Sequence, residues 1–517
     1  MIGHSIFIEM NIRKIIICVC AVAIGGAFQS CKKFYDVNTD PNNIVDAPIP
    51  QLLPAITVNV GYMGASDLYR YTSLIAQQFS GQTTNTSQTF KEYERYSINN
   101  SDVNNAWSNI FAVTLADVAR LIPKAEAEGS PHYAGVAKLL KSYIYQITVD
   151  SWGDVPYSEA SKFADNFYPK YDDDEAIYKD LITTIDAAIA DINAPASVLE
   201  PNANTTIYAS NNWADSKLKW IKFANTLKLR IFLHYSQKDP AFATAQITAL
   251  VNSGAQFMTA NTDNFQMPFL AESGRQNPNA SVEGGQFRNA FFPNRTIVNI
   301  MNAKSDPRRD PYYLPFPYNS NPKTYKGASA VDASSIAYSR LNTFLKGSAT
   351  INPAFTINPD GSITDGSITW SGNAPTRLLT FAEYNFIRAE AALMGAPGDA
   401  QTFFQAGIRA SMADAGVATA DADAYVLANG TLTGTNAQQT EQIITEKFVA
   451  NFGVLAEPWT DWRRTGYPSA IVPLPISVAA YPNIPRTIIY PLSESNSNPN
   501  TPKRTDLTQR VFWDTRP

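Results

Sequence analysis

Histidine and cysteine, which most often serve as nucleophiles, general bases or metal ligands, are scarce in this chain. The three histidines, His4, His132 and His234, are widely separated, and all three cysteines fall within the first 31 residues. This distribution argues against a zinc site and against a Cys–His nucleophile, because both need several such residues brought together. The chain also lacks the Gly-x-Ser-x-Gly, phosphate-loop and His-Glu-x-x-His motifs. We therefore predict no catalytic residue, no metal site and no cofactor.

Carboxylates are the remaining groups that could do chemistry. A pair of them could hydrolyse a glycosidic bond, and the 46 acidic residues leave that possibility open, although no pair stands out. The densest acidic run, from Asp172 to Glu175, could also hold calcium. Because acidic side chains are favoured at the start of a helix by its dipole, we interpret this run as a helix N-terminus.

Cys31 lies at the end of a segment with the features of a bacterial export signal. Two basic residues precede an apolar run at 15–24, and small residues follow it. The run is too short to span a bilayer, which is typical of a signal. Cys31 after the small Ser30 resembles the lipobox of bacterial lipoproteins, in which the signal is removed and the cysteine is acylated. We predict residues 1–30 as a lipoprotein signal peptide and Cys31 as the lipidation site; the alternative is an ordinary secretory signal.

The composition of the chain predicts a folded protein. Hydrophobic residues make up 44% of it, aromatic residues 12% and charged residues 17%. Low charge combined with many aromatics argues against disorder. The net charge is −5, with no basic block, so nucleic-acid binding has no electrostatic support.

Apolar residues recur at helical spacing in several stretches, so we predict a mainly α-helical fold. Two stretches, beginning at Trp107 and Val136, are separated by Gly129-Ser130-Pro131, which predicts a helix hairpin whose apolar stripes pack face to face. Thr380 and Glu383 have the spacing of a capping box. Recurring helix pairs favour a tetratricopeptide-like α/α superhelix, although no clean repeat is visible in the residues. Further helices are predicted around Ile177, Trp220, Ile387, Ile408 and Phe448.

Two long stretches are rich in helix breakers and lack helical periodicity. The first contains Asp360-Gly361-Ser362-Ile363-Thr364 followed at once by Asp365-Gly366-Ser367-Ile368-Thr369, and such Asp-Gly pairs predict small β-hairpins. Irregular stretches of this length are uncommon unless they are functional. We predict one domain at 31–517, with a helical scaffold at about 50–254 and 376–455, a ligand-loop region at about 255–375 and an irregular C-terminal segment at 456–517.

Two short segments, 152–160 and 457–468, combine aromatic residues, charged residues and helix breakers. Each could be a helix exit held by its own side chains, with Asp461 paired to Arg463 or Arg464. Alternatively, the tryptophans could form a platform for a sugar. We favour the structural interpretation, because ion-pair networks often resemble functional sites. It predicts that Trp152, Asp154, Trp459, Asp461 and Trp462 are largely buried.

Seven motifs follow one another in an order that is specific as a set. They lie at 36–42, 152–160, 220–230, 306–308, 380–391, 443–447 and 459–468. With the lipobox, they give the chain a resemblance to the SusD/RagB family of outer-membrane nutrient-binding lipoproteins. Within that family it is similar to the starch-binding, outer-membrane-associating branch.

The resemblance implies a superhelix of tetratricopeptide-like pairs with long loops along one side. It also implies a non-catalytic, lipid-anchored protein that faces outward from the outer membrane. Such a protein binds an oligosaccharide and acts as a lid on a SusC-like TonB-dependent transporter. A peptide is the alternative ligand, and a surface glycoside hydrolase is the alternative class of function. The ligand itself does not follow, because the ligand loops vary between members.

Two groups of loop residues are candidates for contacting the ligand. Aromatic rings bind the apolar faces of sugars, whereas Asn and Arg supply directional hydrogen bonds. The alternative is that most of these aromatics fill the interior of the loops. Trp370, directly after the repeated pentapeptide, is a further candidate. The first group is Phe90, Tyr93 and Tyr96; the second is Arg275, Asn277, Phe287, Arg288 and Phe291.

Overall fold

Helices form about half of the structure, a computed structural model that describes residues 47–82, 89–284 and 287–516. Helices contain 49% of the residues and strands contain 6%, which confirms the predicted mainly α-helical fold. Residues Ile49–Pro517 form one compact unit. Cys31 and the predicted signal peptide lie outside the described residues.

Helices follow one another closely in the N-terminal half of this unit. A π-helical turn at Asn109–Thr114 joins the fourth helix to the fifth. The helices are α1 (Ile49–Met63), α2 (Asp67–Ile75), α3 (Thr89–Glu94), α4 (Asn104–Ser108), α5 (Leu115–Ala127), α6 (Pro131–Trp152), α7 (Asp174–Ile192), α8 (Trp213–His234) and α9 (Pro240–Asn252).

The second half contains short helices among loops and then a second run of longer ones. The structure adds α18 and α19 to the C-terminal segment that was predicted to be irregular. The helices are α10 (Pro278–Gly284), α11 (Arg295–Ala303), α12 (Arg309–Tyr312), α13 (Thr343–Lys346), α14 (Phe381–Leu393), α15 (Ala400–Asp414), α16 (Thr419–Asn429), α17 (Asn436–Ala450), α18 (Glu457–Thr465) and α19 (Leu492–Ser497).

The predicted hairpin of α5 and α6 is confirmed. Val118 and Leu121 of α5 and Val136 of α6 are buried, and the two helices pack against each other. Gly129 has a φ of +67°, which glycine adopts without strain, and Pro131 is the first residue of α6. Helices α6 and α7, α8 and α9, and α14 and α15 also pack in pairs, which gives the tetratricopeptide-like arrangement.

Side chains set the starts of two predicted helices. Asp173 caps α7 by accepting a hydrogen bond from the Ala176 N–H, at 2.9 Å, so the acidic run does begin a helix. Thr380 caps α14 by accepting from the Glu383 N–H, at 3.1 Å. The predicted capping box is nevertheless incomplete, because the Glu383 carboxylate pairs with Arg230 at 2.7 Å. Both of these charged side chains are fully buried, so each requires an ionic partner.

The described residues contain four antiparallel pairs of very short strands. The β1–β5 pair joins the segment before α3 to the loop before α11, and β6–β7 forms a hairpin in which Ala349 lies opposite Trp370. The first Asp-Gly pair turns the chain between Ile357 and Ile363, which form an isolated bridge. The strands are β1 (Phe79–Gly81), β2 (Val155–Pro156), β3 (Tyr171–Asp172), β4 (Phe265–Met267), β5 (Phe291–Pro293), β6 (Ala349–Ile351), β7 (Ile368–Trp370) and β8 (Thr376–Leu379).

The tryptophans of the segments at 152–160 and 457–468 lie inside the scaffold. Trp152, Trp459, Trp462 and Asp461 are buried, as predicted. Asp461 pairs with Arg464, which confirms one of the two ion pairs expected for it. The prediction is wrong for Asp154, which is exposed. Its carboxylate accepts the N–H of the first residue of α7 at 3.0 Å, and this position at a helix start leaves it in contact with water.

Candidate functional site

A cavity of about 490 Å³ opens between the start of α10 and the β7 hairpin. Its wall is built from segments far apart in sequence. Its lining residues include Gln276, Ser281, Arg288, Arg340, Thr369 and Trp370.

Trp370 is held in place by the short helix α13 and the residue before it. Its indole N–H donates to the Asn342 Oδ1 at 3.3 Å, and the Lys346 ammonium lies 3.3 Å from the centre of the indole ring. The hairpin continues toward α13, because the Gly372 N–H donates to the Lys346 carbonyl at 2.9 Å. The hydrogen bond and the cation–π contact together fix the orientation of the indole at the cavity wall.

Two arginines from different loops line the same cavity. Arg288 is exposed, whereas Arg340 is only 8% exposed. Asp365 is the carboxylate that faces Arg340, with Nη1 and Oδ1 3.9 Å apart. Burial lowers the pKa of the Arg340 guanidinium to about 10, so it remains charged at neutral pH. The cavity wall therefore has two guanidinium groups in addition to an indole.

The loop before α10 is fastened to the hairpin by amide side chains. Gln276 donates to the Ser371 carbonyl at 3.0 Å, and Asn277 donates to the Ala374 carbonyl at 3.0 Å. Gly372 allows this close approach, because its φ is +77° and a Cβ there would lie 2.6 Å from the Gln276 Cβ. The two sides of the cavity are thus held at a fixed separation.

The candidate aromatics of the two predicted groups meet in one cluster. The ring of Phe90 lies 5.2 Å from Phe287, 4.3 Å from Phe291 and 6.0 Å from Tyr93, measured between ring centres. The rings of Phe90, Tyr93 and Phe291 are each 8% exposed, whereas Phe287 is half-buried. This cluster lies mostly inside the loops and presents Phe287 at its edge.

A family model for SusD-like proteins, described as starch-binding and associating with the outer membrane, matches residues 41–491. The chain belongs to this family. The match confirms the resemblance seen in the sequence, and it covers most of the chain.

Solved structures of SusD-like proteins superpose on nearly the whole described fold. A chitin-binding protein is 22% identical to this chain with a TM-score of 0.71, and the match covers 89% of this chain and 100% of that protein. A chitin-binding SusD homolog from Flavobacterium johnsoniae is 19% identical with a TM-score of 0.71, and the match covers 89% of this chain and 99% of the homolog. A SusD-like protein from Bacteroides thetaiotaomicron is 21% identical with a TM-score of 0.70, and the match covers 90% of this chain and 98% of that protein. At these identities the likeness establishes the fold. No curated protein sequence matches the chain.

The remaining candidate residues of this SusD-like chain have separate positions. Arg275 is exposed beside the cavity, between the lining residues Gly274 and Gln276. Asn277 is buried and serves the loop contact described above. Tyr96 is 1% exposed, and its hydroxyl accepts the Leu474 N–H at 3.3 Å. Of the predicted residues, Arg288 and Trp370 line the cavity.

The sequence interpretation missed Arg340 and Lys346. Both cations belong to one stretch, 338–347, that has no other signal in sequence, and only the folding of this segment against the hairpin brings them to the cavity and its indole. The repeated Asp-Gly-Ser-Ile-Thr was a usable signal, because its second copy, ending at Thr369, lines the cavity.

Three carboxylates in the described part of the chain are close enough to share a cation. The ligand atoms of Asp154, Asp173 and Asp174 lie within 4.8 Å of one another. All three already accept backbone N–H groups, Asp174 from Phe512 at 2.8 Å. Burial raises the pKa of Asp174 to about 6. These contacts are those of a helix start.

Among the described residues, no helix has both the length and the apolar character needed to span a membrane.

Proposed function

We propose that this SusD-like protein captures an oligosaccharide and delivers it, chemically unaltered, to a SusC-like TonB-dependent outer-membrane transporter. The position of Trp370 is the main support for the binding step, because this residue lines the cavity and is fixed there by Asn342 and Lys346. A rigid indole offers a flat apolar surface to a sugar ring. The cavity volume falls in the range that is common for ligand sites.

The groups around the indole support binding. Arg288, Gln276, Ser281 and Thr369 offer guanidinium, amide and hydroxyl groups that can hydrogen-bond sugar hydroxyls. The family is described as starch-binding, and two solved relatives are described as chitin-binding. These descriptions support a glycan as the class of ligand.

The proposal also places the protein at the outer membrane and gives it a TonB-dependent transporter as its partner. The family description names association with the outer membrane. Acylation of Cys31 would anchor the protein there, facing the exterior, and several acyl chains bind a bilayer firmly, at about 0.8 kcal/mol per buried CH₂. The delivery step is supported by family membership, and the test is purification of the protein from outer membranes. We expect a TonB-dependent transporter to co-purify; its absence would remove the delivery step and leave the binding step standing.

Calorimetry with maltohexaose, chitohexaose and a peptide digest tests the binding step. We expect a saccharide to bind and Trp370→Ala to weaken it about tenfold or more, which corresponds to ~1.4 kcal/mol. Phe167→Ala, at a ring that is 73% exposed in another loop, is the matched control and should bind as the parent does. Unchanged affinity in Trp370→Ala would exclude the cavity. Binding of peptides alone would favour the peptide alternative, and shortened saccharide products would favour the hydrolase.

A further inference from the structure

A second cavity, of about 260 Å³, is formed by other parts of the chain than the cavity that Trp370 lines. Three segments build its wall: the stretch from α4 to α5, the loop between β2 and β3, and α19. The two cavities have no described lining residue in common. The lining residues of the second one include Trp107, Phe111, Arg120, Ser161, Phe163 and Glu494.

Two aromatic rings on the helical side of this cavity lie against each other. The ring centres of Trp107 and Phe111 are 4.3 Å apart, and their planes are inclined by 33°. The indole N–H of Trp107 donates to the Glu494 Oε2 at 3.2 Å, which joins α4 to α19 and fixes the ring. Phe111 belongs to the π-helical turn, a feature that is frequent at functional sites. This side of the wall is therefore ordered and aromatic.

Phe163 lines the cavity from the loop between β2 and β3 and is 45% exposed. Its φ is +52° and that of Ser161 is +55°, a region that bulky side chains rarely adopt. Such conformations are costly and are found mostly at functional sites. The Arg120 guanidinium lies 4.8 Å from the centre of the Phe163 ring and orients it. The loop thus holds an unfavourable backbone conformation and still leaves a large apolar ring in contact with water.

Two charged side chains at the same wall restrict the class of molecule that fits. Arg120 is 50% exposed and pairs with Asp117 at 3.0 Å, and Glu494 accepts a second hydrogen bond, from the Asn498 amide, at 3.0 Å. An apolar ligand would remove water from both charges without replacing its hydrogen bonds, which is costly. A sugar ring has an apolar face for the aromatic rings and hydroxyl groups that replace this water. The wall therefore favours a saccharide.

We propose that this cavity is a second saccharide-binding site, in which a sugar ring lies against Phe163 and its hydroxyl groups bond to Arg120 and Glu494. The inference rests on the proposed function for its ligand class and uses none of the residues of the Trp370 cavity. The volume is slightly below the range of about 300–1,000 Å³ that is common for ligand sites, so we expect a short part of a chain to bind, and to bind more weakly. Two sites on one protein would strengthen the hold on a polysaccharide long enough to reach both.

Calorimetry with maltohexaose and chitohexaose tests the proposal on the purified protein. We expect two sites per chain in the parent and a single, weaker site in Trp370→Ala. Phe163→Ala should weaken that second site about tenfold or more and leave the Trp370 site unchanged, and the exposure of Phe163 means that the core stays intact. Phe167→Ala is the matched control, because its ring is 73% exposed in the same loop but does not line the cavity.

A blocking variant separates loss of the ring from damage to the loop. Ala112 is exposed and lines the cavity, so Ala112→Trp should fill it and also remove the second site, with unchanged thermal unfolding. A single site that depends on Trp370 and is unchanged in Phe163→Ala would overturn the inference and keep the proposed function. Binding of a peptide digest that Phe163→Ala abolishes would assign the cavity to peptides and also overturn the inference. Binding of no saccharide at all would overturn both.

Discussion

Asp461 and Arg464 face each other one helical turn apart on α18, 2.9 Å between Oδ1 and Nη2, and both are buried. Asp461 also pairs with Lys447 of α17 at 2.8 Å, and Arg464 pairs with Glu390 of α14. Four buried charges thus join three helices through short ionic contacts. This network explains why a segment so rich in tryptophan and charge belongs to the scaffold.

The first prediction is that Asp461→Ala destabilises the fold by about 3–5 kcal/mol, because it leaves Arg464 and Lys447 buried with one carboxylate fewer. Asp423→Ala, which breaks the exposed Arg409–Asp423 pair, is the matched control and should cost about 0–1 kcal/mol. Urea unfolding of both variants makes the comparison. Unchanged stability of Asp461→Ala together with lost saccharide binding would instead assign Asp461 to the ligand site.

The second prediction concerns stability in acid and rests on Glu446. Burial opposes its ionisation, but Lys304 and Arg308 lower its pKa to about 2. Because the pKa is lower in the folded state, Glu446 contributes stability above pH ~4.3, its unfolded value, and loses it as the pH falls toward 2. The contribution to the slope is at most about 1.4 kcal/mol per pH unit. In urea unfolding between pH 5 and 2, Glu446→Gln should flatten the dependence and the exposed Glu128→Gln should not; equal slopes would contradict the assignment.

The third prediction is that replacing Lys346 affects thermal stability and saccharide affinity in different ways. Lys346→Met keeps a long side chain against Trp370 but removes a buried amino group that has no hydrogen bond within the described structure. We expect the midpoint of thermal unfolding to rise or stay equal, because a buried polar group without a hydrogen bond is costly. We expect the affinity for a saccharide to fall several-fold, because Trp370 loses the cation–π contact that helps to orient it. Calorimetry and thermal unfolding of the same sample measure both effects. A clear loss of stability would show that the amino group supports the fold.

The fourth prediction concerns the anchor. Cys31→Ala should move the protein from the membrane fraction to the soluble fraction, because the acyl chains can no longer be attached. Fractionation with a high-salt wash, followed by immunoblotting, measures the distribution. Persistence of the variant in washed membranes would argue against acylation at this cysteine. Ser30→Ala keeps a small residue before the cysteine and should remain membrane-bound.

The helices could be predicted from the sequence because their apolar residues recur locally, as at Val118 and Val136. Two local predictions failed where distant residues decide the outcome. Glu383 has capping-box spacing, but the buried Arg230 takes its carboxylate. Asp154 lies two residues after the buried Trp152 in sequence, but the start of α7 holds it at the surface.

The cavity was only partly predictable for the same reason. Trp370 and Arg288 stand out as an aromatic and a cation in long loops, and both line it. Arg340 and Lys346 carry no local signal, because their positions depend on how the loop before β6 folds over the hairpin. Residue types identify candidates, whereas the contacts between loops determine which of them share a site.

The β6–β7 hairpin places Trp370 on a short excursion of the chain, apart from the ionic network that joins α14, α17 and α18. Substitutions at the exposed positions within 349–370 can therefore change the cavity wall without breaking that ionic network. The same separation makes the segment 349–370 suitable for exchange between SusD-like proteins. Such an exchange would transfer the indole together with about half of the residues that line the cavity. A change of ligand could then arise by replacement of this one segment, while the sequences of the helices stay almost unchanged.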